Sequence, residues 1–298
     1  MTLTYETVDV FTDTAFGGNP LAVVFGGERL STQAMQTIAR EFNFPETTFV
    51  LPPTDPVNTA KVRIFTPGVE LPFAGHPNVG TATVLARRGS VFGKPVGDTV
   101  VFEEAIGLVG LKIVRDGGEA VGAVLTAPAL PTVEGIFDPS AVAAAVGLSD
   151  SAIILARHAP AHVAIGATFV IAEVADLDAL AAARSDEGLI AKHLGKAAPD
   201  EIYLYTRLDA GEGTLHIRAR MFAPSLGIPE DPATGGAAVA IAGLFVKLMD
   251  GDLDLTIEQG VEMGRPSRLD VCILRDGTPA RITVAGRCVP MMRGELAA

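Results

Sequence analysis

The sequence predicts an α+β protein of two pseudo-symmetric lobes, each a curved, mostly antiparallel sheet around a central helix. Three observations carry this. Two similar segments lie about half the chain apart. One is Phe65-Thr-Pro-Gly-Val-Glu-Leu-Pro-Phe-Ala-Gly-His-Pro-Asn-Val-Gly80, the other Phe222-Ala-Pro-Ser-Leu-Gly-Ile-Pro-Glu-Asp-Pro-Ala-Thr-Gly-Gly236. Each runs from a strand-like stretch through Phe-x-Pro to a Gly-rich knot. The helix after each knot is apolar almost all round, and a helix without a polar face is a buried one. The order of elements in the first half then recurs in the second.

Taken in order, Tyr5–Phe11 alternates and reads as a strand, Gly17–Pro20 as a turn, and Leu21–Phe25 as a buried strand. Ser31 to Phe42 is helical, with Ser31 as N-cap and Met35, Ile38, Ala39 and Phe42 on one face. Thr47–Leu51 and Ala60–Phe65 are strands, and Asn78–Arg88 is a helix stopped by Gly89. Thr99–Glu103, Gly107–Arg115 and Ala120–Thr126 read as consecutive strands. Pro139–Val146 is a short helix, and Ala152–Arg157 and Val163–Ala172 are strands. Asp176–Ala183 and Asp186–His193 are helices with acidic starts. Glu201–Thr206 and Leu215–Phe222 are strands before the helix Gly235–Leu248. Asp254–Gln259, Ser267–Arg275, Ala280–Ala285 and Val289–Met292 close the chain as strands. The division of the chain is expected near Asp116-Gly-Gly118, a tripeptide that also fits a hairpin turn. The expected lobes are 1–117 with 284–298, carrying Glu46 and His76, and 118–283, carrying Asp231.

The chain has 298 residues, enough for one large domain or two medium ones. Hydrophobic residues make up 48% and charged residues 19%, so the chain is globular. The net charge of −12 argues against nucleic acid and anionic membranes as partners, because either needs a basic patch. The two cysteines, Cys272 and Cys288, are too few for a disulfide framework and read as buried, inert thiols. No signal-peptide pattern opens the chain, and no apolar run is long enough to span a bilayer, so the chain reads as cytoplasmic.

The first N–H groups of a helix lack internal partners, and the helix dipole adds positive charge there. A Gly-rich start lets an anion approach them. Gly75-His-Pro-Asn-Val-Gly80 fits, with Pro77 suited to the first turn, and Thr234-Gly235-Gly236 fits again. Glycines alone would serve helix packing equally well. Two matched knots carrying His76 and Asp231 point instead to a site for a carboxylate or other small anion. Glu46, in Phe44-Pro-Glu-Thr-Thr-Phe-Val50, is a third candidate: a carboxyl among apolar neighbours has a raised pKa suited to proton transfer. Most single glutamates merely cap a turn or face solvent. His158 and His162 have metal-like spacing, but Pro160 lies between them and no third ligand motif follows, so no metal site is expected. Nucleotide-binding glycine motifs and Gly-x-Ser-x-Gly are absent, and no cofactor is expected.

These motifs together resemble the PhzF phenazine-biosynthesis-like family, which shares the diaminopimelate epimerase fold. The resemblance covers nearly the whole chain. It rests on Asp9-Val-Phe-Thr12 with Gly18-Asn-Pro20, on Glu46-Thr-Thr-Phe-Val50 and on Phe65-Thr-Pro67. It continues through Glu70-Leu-Pro-Phe-Ala-Gly-His-Pro77, Glu230-Asp-Pro-Ala-Thr-Gly235, Gln259-Gly and Gly264-Arg-Pro-Ser267. It implies an active site between the lobes, a homodimer, and cofactor-free proton transfer on a small carboxylate-bearing substrate. In the characterised phenazine enzyme the reaction is isomerisation of a dihydro-hydroxyanthranilate. Glu46 matches the family's general acid/base, and His76 and Asp231 match its other polar catalytic residues. Gly75, Pro77, Thr234, Gly235 and Gly236 fall on the carboxylate-binding loops, and Asn19 is a further substrate-binding candidate. Two positions depart: Pro45 stands where the family usually has Ser, and Gly236 where it has the Ser of Thr-Gly-Ser. Epimerases of this fold with two cysteines place them at the helix starts, where neither Cys272 nor Cys288 lies. Epimerisation of an amino or hydroxy acid, and small-molecule binding without turnover, are the alternative functions.

Overall fold

The computed structural model describes residues 2–195, 199, 201–275 and 280–297. The chain divides into two compact units, Met1–Thr126 with Ala285–Ala298, and Ala127–Val284.

The first unit contains β1 (Thr2–Val10), β2 (Asn19–Phe25), α1 (Thr32–Phe42), β3 (Glu46–Leu51), β4 (Ala60–Phe65), β5 (Glu70–Leu71) and α2 (Gly75–Arg88). It continues with β6 (Ser90–Val91), β7 (Lys94–Pro95), β8 (Thr99–Glu104), β9 (Gly107–Asp116) and β10 (Glu119–Thr126). Ser31 caps α1 through the Ala34 N–H at 3.2 Å, and Asn43 ends it in the left-handed region. Strand β1 pairs antiparallel with β2, β2 parallel with β3, β3 antiparallel with β4, and β4 parallel with β8. The β8–β9 and β9–β10 pairs are antiparallel hairpins, and Gly117 and Gly118 make the second turn at positive φ. The last strand of the chain, at Arg281–Ala297, pairs with both β10 and β1. The succession of pairings therefore closes on itself, which leaves that ring of strands without an edge.

Helix α2 is buried from Gly75 to Ala86 and touches β1, β2, β3, β9 and β10. Such a helix needs a point of close approach. Gly80 supplies it: a Cβ there would lie 2.6 Å from a Leu21 methyl and 2.7 Å from a Val10 methyl.

The second unit contains β11 (Thr132–Ile136), α3 (Pro139–Ala145), β12 (Ala161–Ile165), β13 (Ala167–Glu173), α4 (Leu177–Ala182) and α5 (Glu187–His193). It continues with β14 (Ile202–Gly211), β15 (Thr214–Ala223), β16 (Ile228–Asp231), α6 (Gly235–Leu248), β17 (Leu253–Gln259) and β18 (Ser267–Leu274), and the final strand is β19. Strand β13 runs parallel to β14, β14 antiparallel to β15, β15 parallel to β17, and β17 antiparallel to β18. This succession of directions is the one followed by β2, β3, β4, β8 and β9. Strands β4 and β15 each carry one further short antiparallel neighbour, β5 and β16. Helix α6 is buried along most of its length against β12, β13 and β18. Gly243 is its close point, where a Cβ would meet the Pro131 ring at 2.5 Å.

Four expectations need correction. Ala152–Arg157 is not a strand; a short 3-10 turn at Asp150–Ala152 is followed by a single bridge from Ile153 to Val174. The flanking Ser149 and Ser151 hydroxyls bond each other there, at 3.1 Å, which favours a turn. Val163–Ala172 is a hairpin, because Gly166 turns the chain at φ 76° between β12 and β13. Strand β11 was not expected; it is a mostly exposed edge strand with little apolar alternation. The two expected C-terminal strands, Ala280–Ala285 and Val289–Met292, join in β19. Pro290 lacks an N–H, but a bulge opposite Thr7 and Val8 carries the strand past it.

Candidate active site

In the first unit, β3 begins at Glu46, which lies beside Leu21 in the parallel β2–β3 pair. Helix α2 begins at Gly75. These two starts bring Glu46 and His76 together, with Nε2 of His76 3.4 Å from Oε2 of Glu46. The side chains are almost closed to solvent, 4% exposed for His76 and 13% for Glu46. Burial lowers the His76 pKa from 6.5 to about 3, partly opposed by its hydrogen bond to the Pro20 backbone. The ring is therefore neutral at pH 7. A carbonyl can only accept, so the ring nitrogen meeting Pro20 carries the proton. Nε2 faces Glu46, so that nitrogen is Nδ1, and Nε2 presents its lone pair to the carboxyl. The pair is poised to pass a proton rather than to form a fixed ion pair. Asn19, fully buried, opens β2 next to Pro20, and Gly75 and Pro77 flank His76.

In the second unit, Asp231 ends β16 and is 7% exposed. Its Oδ2 accepts from the Thr234 hydroxyl at 2.5 Å. Gln259, fully buried on β17, donates from Nε2 to the Asp231 carbonyl at 2.8 Å and to the Thr234 hydroxyl oxygen at 2.9 Å. Gln259-Gly260 is among the residues that carry the resemblance, and the structure makes Gln259 the clamp that fixes Asp231 and Thr234. Gly260 is required beside it: φ is 73°, and a Cβ would meet the carbonyls of Arg265 at 2.5 Å and Pro232 at 2.7 Å. Tyr203 and Asp231 both stand opposite Met221, on its two sides in the sheet, and Asp231 adds to burial in holding the buried Tyr203 phenol protonated. At Gly236 a Cβ would find only ordinary contact with the Phe169 ring, at 3.5 Å, so a side chain has room there.

The helix starts differ from the others in one chemical respect. Ser31, Asp138, Asp176 and Asp186 each cap their helix with a side-chain oxygen. Ala74 and Thr234, the N-cap residues of α2 and α6, make no such bond. Ala74 has no oxygen to offer, and the Thr234 hydroxyl is directed to Asp231. Both starts thus lack a side-chain cap.

The remaining candidates are accounted for locally. His158 shares a hydrogen bond with the Tyr205 hydroxyl at 2.8 Å, whereas His162 faces Glu134. Among the described residues no cluster of three or more metal-ligating side chains occurs. Cys272 lies on β18 and Cys288 on β19, and burial, the main cause in each case, pushes both thiols up to about 11. Neither is a thiolate at neutral pH. Among the described residues no helix is long and apolar enough to cross a membrane.

Residues 8–294 match the model of the PhzC-PhzF family, phenazine biosynthesis-like protein. The chain is 39% identical to an uncharacterised isomerase of Mesorhizobium japonicum, over 99% of each chain. It is 38% identical to the trans-2,3-dihydro-3-hydroxyanthranilate isomerase of Pseudomonas aeruginosa, covering 89% of this chain and 88% of that one. Its mixed α/β fold matches the crystal structure of a PhzF-family phenazine biosynthesis protein from Bacillus anthracis, with a TM-score of 0.86 over 100% of both chains at 24% identity. The chain belongs to the PhzC-PhzF phenazine biosynthesis-like family, and relatives that match most of its length are named isomerases.

Proposed function

We propose that the protein is a cofactor-independent isomerase that moves a proton within a small carboxylate-bearing substrate. The observation that carries this is the Glu46–His76 contact: a carboxyl against a neutral, lone-pair-bearing imidazole, beside a helix start without a side-chain cap. Glu46 takes a proton from an acidic carbon, leaving the electron pair to shift along the conjugated substrate. It returns the proton to a different carbon, so the substrate is isomerised with no net change in composition. His76 accepts a hydrogen bond from protonated Glu46 and steadies it between the two transfers. The uncapped start of α2, with Gly75 and Pro77, and that of α6, with Thr234, Gly235 and Gly236, are each suited to binding a carboxylate, and Asn19 is a further contact. Asp231, fixed by Gln259 and bonded by Thr234, supplies the second polar group of the reaction. The recurring succession of strand pairings supports reading the chain as two pseudo-symmetric lobes with equivalent helix starts. A homodimer belongs to the same proposal.

The named activity of the Pseudomonas relative makes trans-2,3-dihydro-3-hydroxyanthranilate the first substrate to try. Gly236 lacks the hydroxyl that the resembling motif carries, so a related acid with a different ring substituent belongs in the same panel. Substrate depletion by wild type, and its loss in a folded Glu46→Gln protein, is the expected result. Wild-type turnover in Glu46→Gln would remove Glu46 from the mechanism.

A further inference from the structure

The pattern Arg-x-Phe-x-Pro occurs in both halves, as Arg63-Ile-Phe-Thr-Pro67 at the end of β4 and Arg220-Met-Phe-Ala-Pro224 at the end of β15. The two arginines are used alike. Each guanidinium lies over the phenylalanine ring two residues on, at 5.1 Å for Phe65 and 4.8 Å for Phe222. Each gives Nε and Nη2 to the two oxygens of one glutamate on the next short strand. For Glu70 of β5 both bonds are 2.7 Å, and for Glu230 of β16 both are 2.8 Å. Each arginine also reaches a helix. Arg63 Nη2 donates to the Thr32 hydroxyl of α1 at 2.9 Å. Arg220 Nη1 donates to the carbonyls of Leu180, Ala181 and Ala183 at the end of α4, at 2.9, 3.2 and 2.9 Å. The second pair is the more closed, with side chains 10% and 14% exposed against 20% and 35%, so water competes less for it.

Strand β16 has a weak ladder of its own. It joins β15 at Met221–Asp231 and Ala223–Ile228, and the register shifts between them. Pro229 has no N–H to give. Glu230 precedes Asp231, and successive strand residues face opposite sides of a sheet. Arg220 lies opposite Leu204, which shares a core cluster with Phe222 and with Leu180 of α4. Met221 lies opposite both Tyr203 and Asp231 on the other side, where Tyr205 meets Phe245 of α6 ring to ring. Holding Glu230 on the α4 side therefore directs Asp231 to the α6 side, where the Thr234 hydroxyl bonds its carboxylate.

We propose that Arg220 is a positioning residue: by tying Glu230 to the end of α4 it fixes the strand that presents Asp231 at the start of α6. The bonds run from the α4 carbonyls through the guanidinium to Glu230, and Asp231 is the next residue. Gln259 holds Asp231 from the other side, through its carbonyl. The role in catalysis rests on the reading of Asp231 as a group of the reaction; the placement of Asp231 does not.

The test compares Arg220→Met and Glu230→Gln with Arg63→Met and wild type, each as the full-length protein. Glu230→Gln keeps volume and an acceptor for the guanidinium, so it serves where Arg220→Met does not fold. The first readout is NMR without substrate. The Gln259 side-chain amide is buried and bonded to the Asp231 carbonyl and Thr234, so it reports on the Asp231 turn. Its protons should exchange about tenfold faster or more in Arg220→Met and Glu230→Gln, with the Gly235 amide shifted, and as in wild type in Arg63→Met. The second readout is kinetics with trans-2,3-dihydro-3-hydroxyanthranilate. A misplaced Asp231 should lower kcat on the order of 10²-fold in Arg220→Met and leave KM nearly unchanged. Unchanged Gln259 and Gly235 signals in a folded variant would overturn the proposal whatever the kinetics. So would an equal change at Gln259 in Arg63→Met, or a loss carried by KM alone. Faster Gln259 exchange with unchanged kcat would uphold the placement of Asp231 by Arg220 and refute instead the part of Asp231 in the reaction.

Discussion

Glu46 meets His76 because a strand start and a helix start converge. Glu46→Gln keeps shape and removes the proton acceptor, so turnover should fall on the order of 10²–10⁴-fold, with ligand affinity and melting temperature nearly unchanged. His76 gives a pH signature of its own. Its folded pKa, about 3, lies below the free value of 6.5. Between these values the unfolded chain binds a proton that the folded chain refuses. The His76 contribution is therefore steady above pH 6.5 and is lost as pH falls toward 3. Each tenfold difference in proton affinity between the folded and unfolded chain is worth about 1.4 kcal/mol. Urea titrations at stepped pH should show a shallower acid loss in His76→Asn than in wild type; equal slopes would contradict a buried neutral ring. At this scale the sequence exposed the polar candidates, since His76 and Asp231 sit in matched knots. It hid the Pro20 carbonyl and Gln259, because a carbonyl carries no residue signature and Gln259 becomes a clamp only once β17 lies beside the Asp231 turn.

Helices α2 and α6 are legible because their apolar residues cover every face, and a 14-residue helix of that kind has nowhere to go but inside a sheet. What fits them there is less visible. Gly80 and Gly243 look like weak points in a helix, where Ala is preferred by about 1 kcal/mol. The Pro131 ring, 2.5 Å from the missing Cβ of Gly243, reverses the sign. Gly243→Ala should destabilise by about 1–3 kcal/mol in chemical denaturation; a gain in stability would show that the ring yields. Strand ends were harder to read. Gly166 divides one apolar run into a hairpin, and the bulge at Pro290 joins two runs into one strand. Both outcomes depend on the partner strand, which local pattern does not contain.

At the scale of the whole chain, the proposed reaction takes Glu46 from one half and Asp231 from the other. Kinetics can test this without a picture of the site. If Glu46 and Asp231 serve one transition state, the losses from Glu46→Gln and Asp231→Asn should be far from additive in the double variant. Additive losses would mean separate roles. Alkylation of both thiols, each pushed up to about 11, should leave activity intact. The central claim is proton transfer through Glu46, and solvent deuterium tests it most directly. Wild-type protein incubated with trans-2,3-dihydro-3-hydroxyanthranilate in D2O should place deuterium on a substrate or product carbon, and Glu46→Gln should place none. Turnover by wild type with no carbon label, or equal label from Glu46→Gln, would contradict the account; binding without turnover or label would mark the protein as a binder.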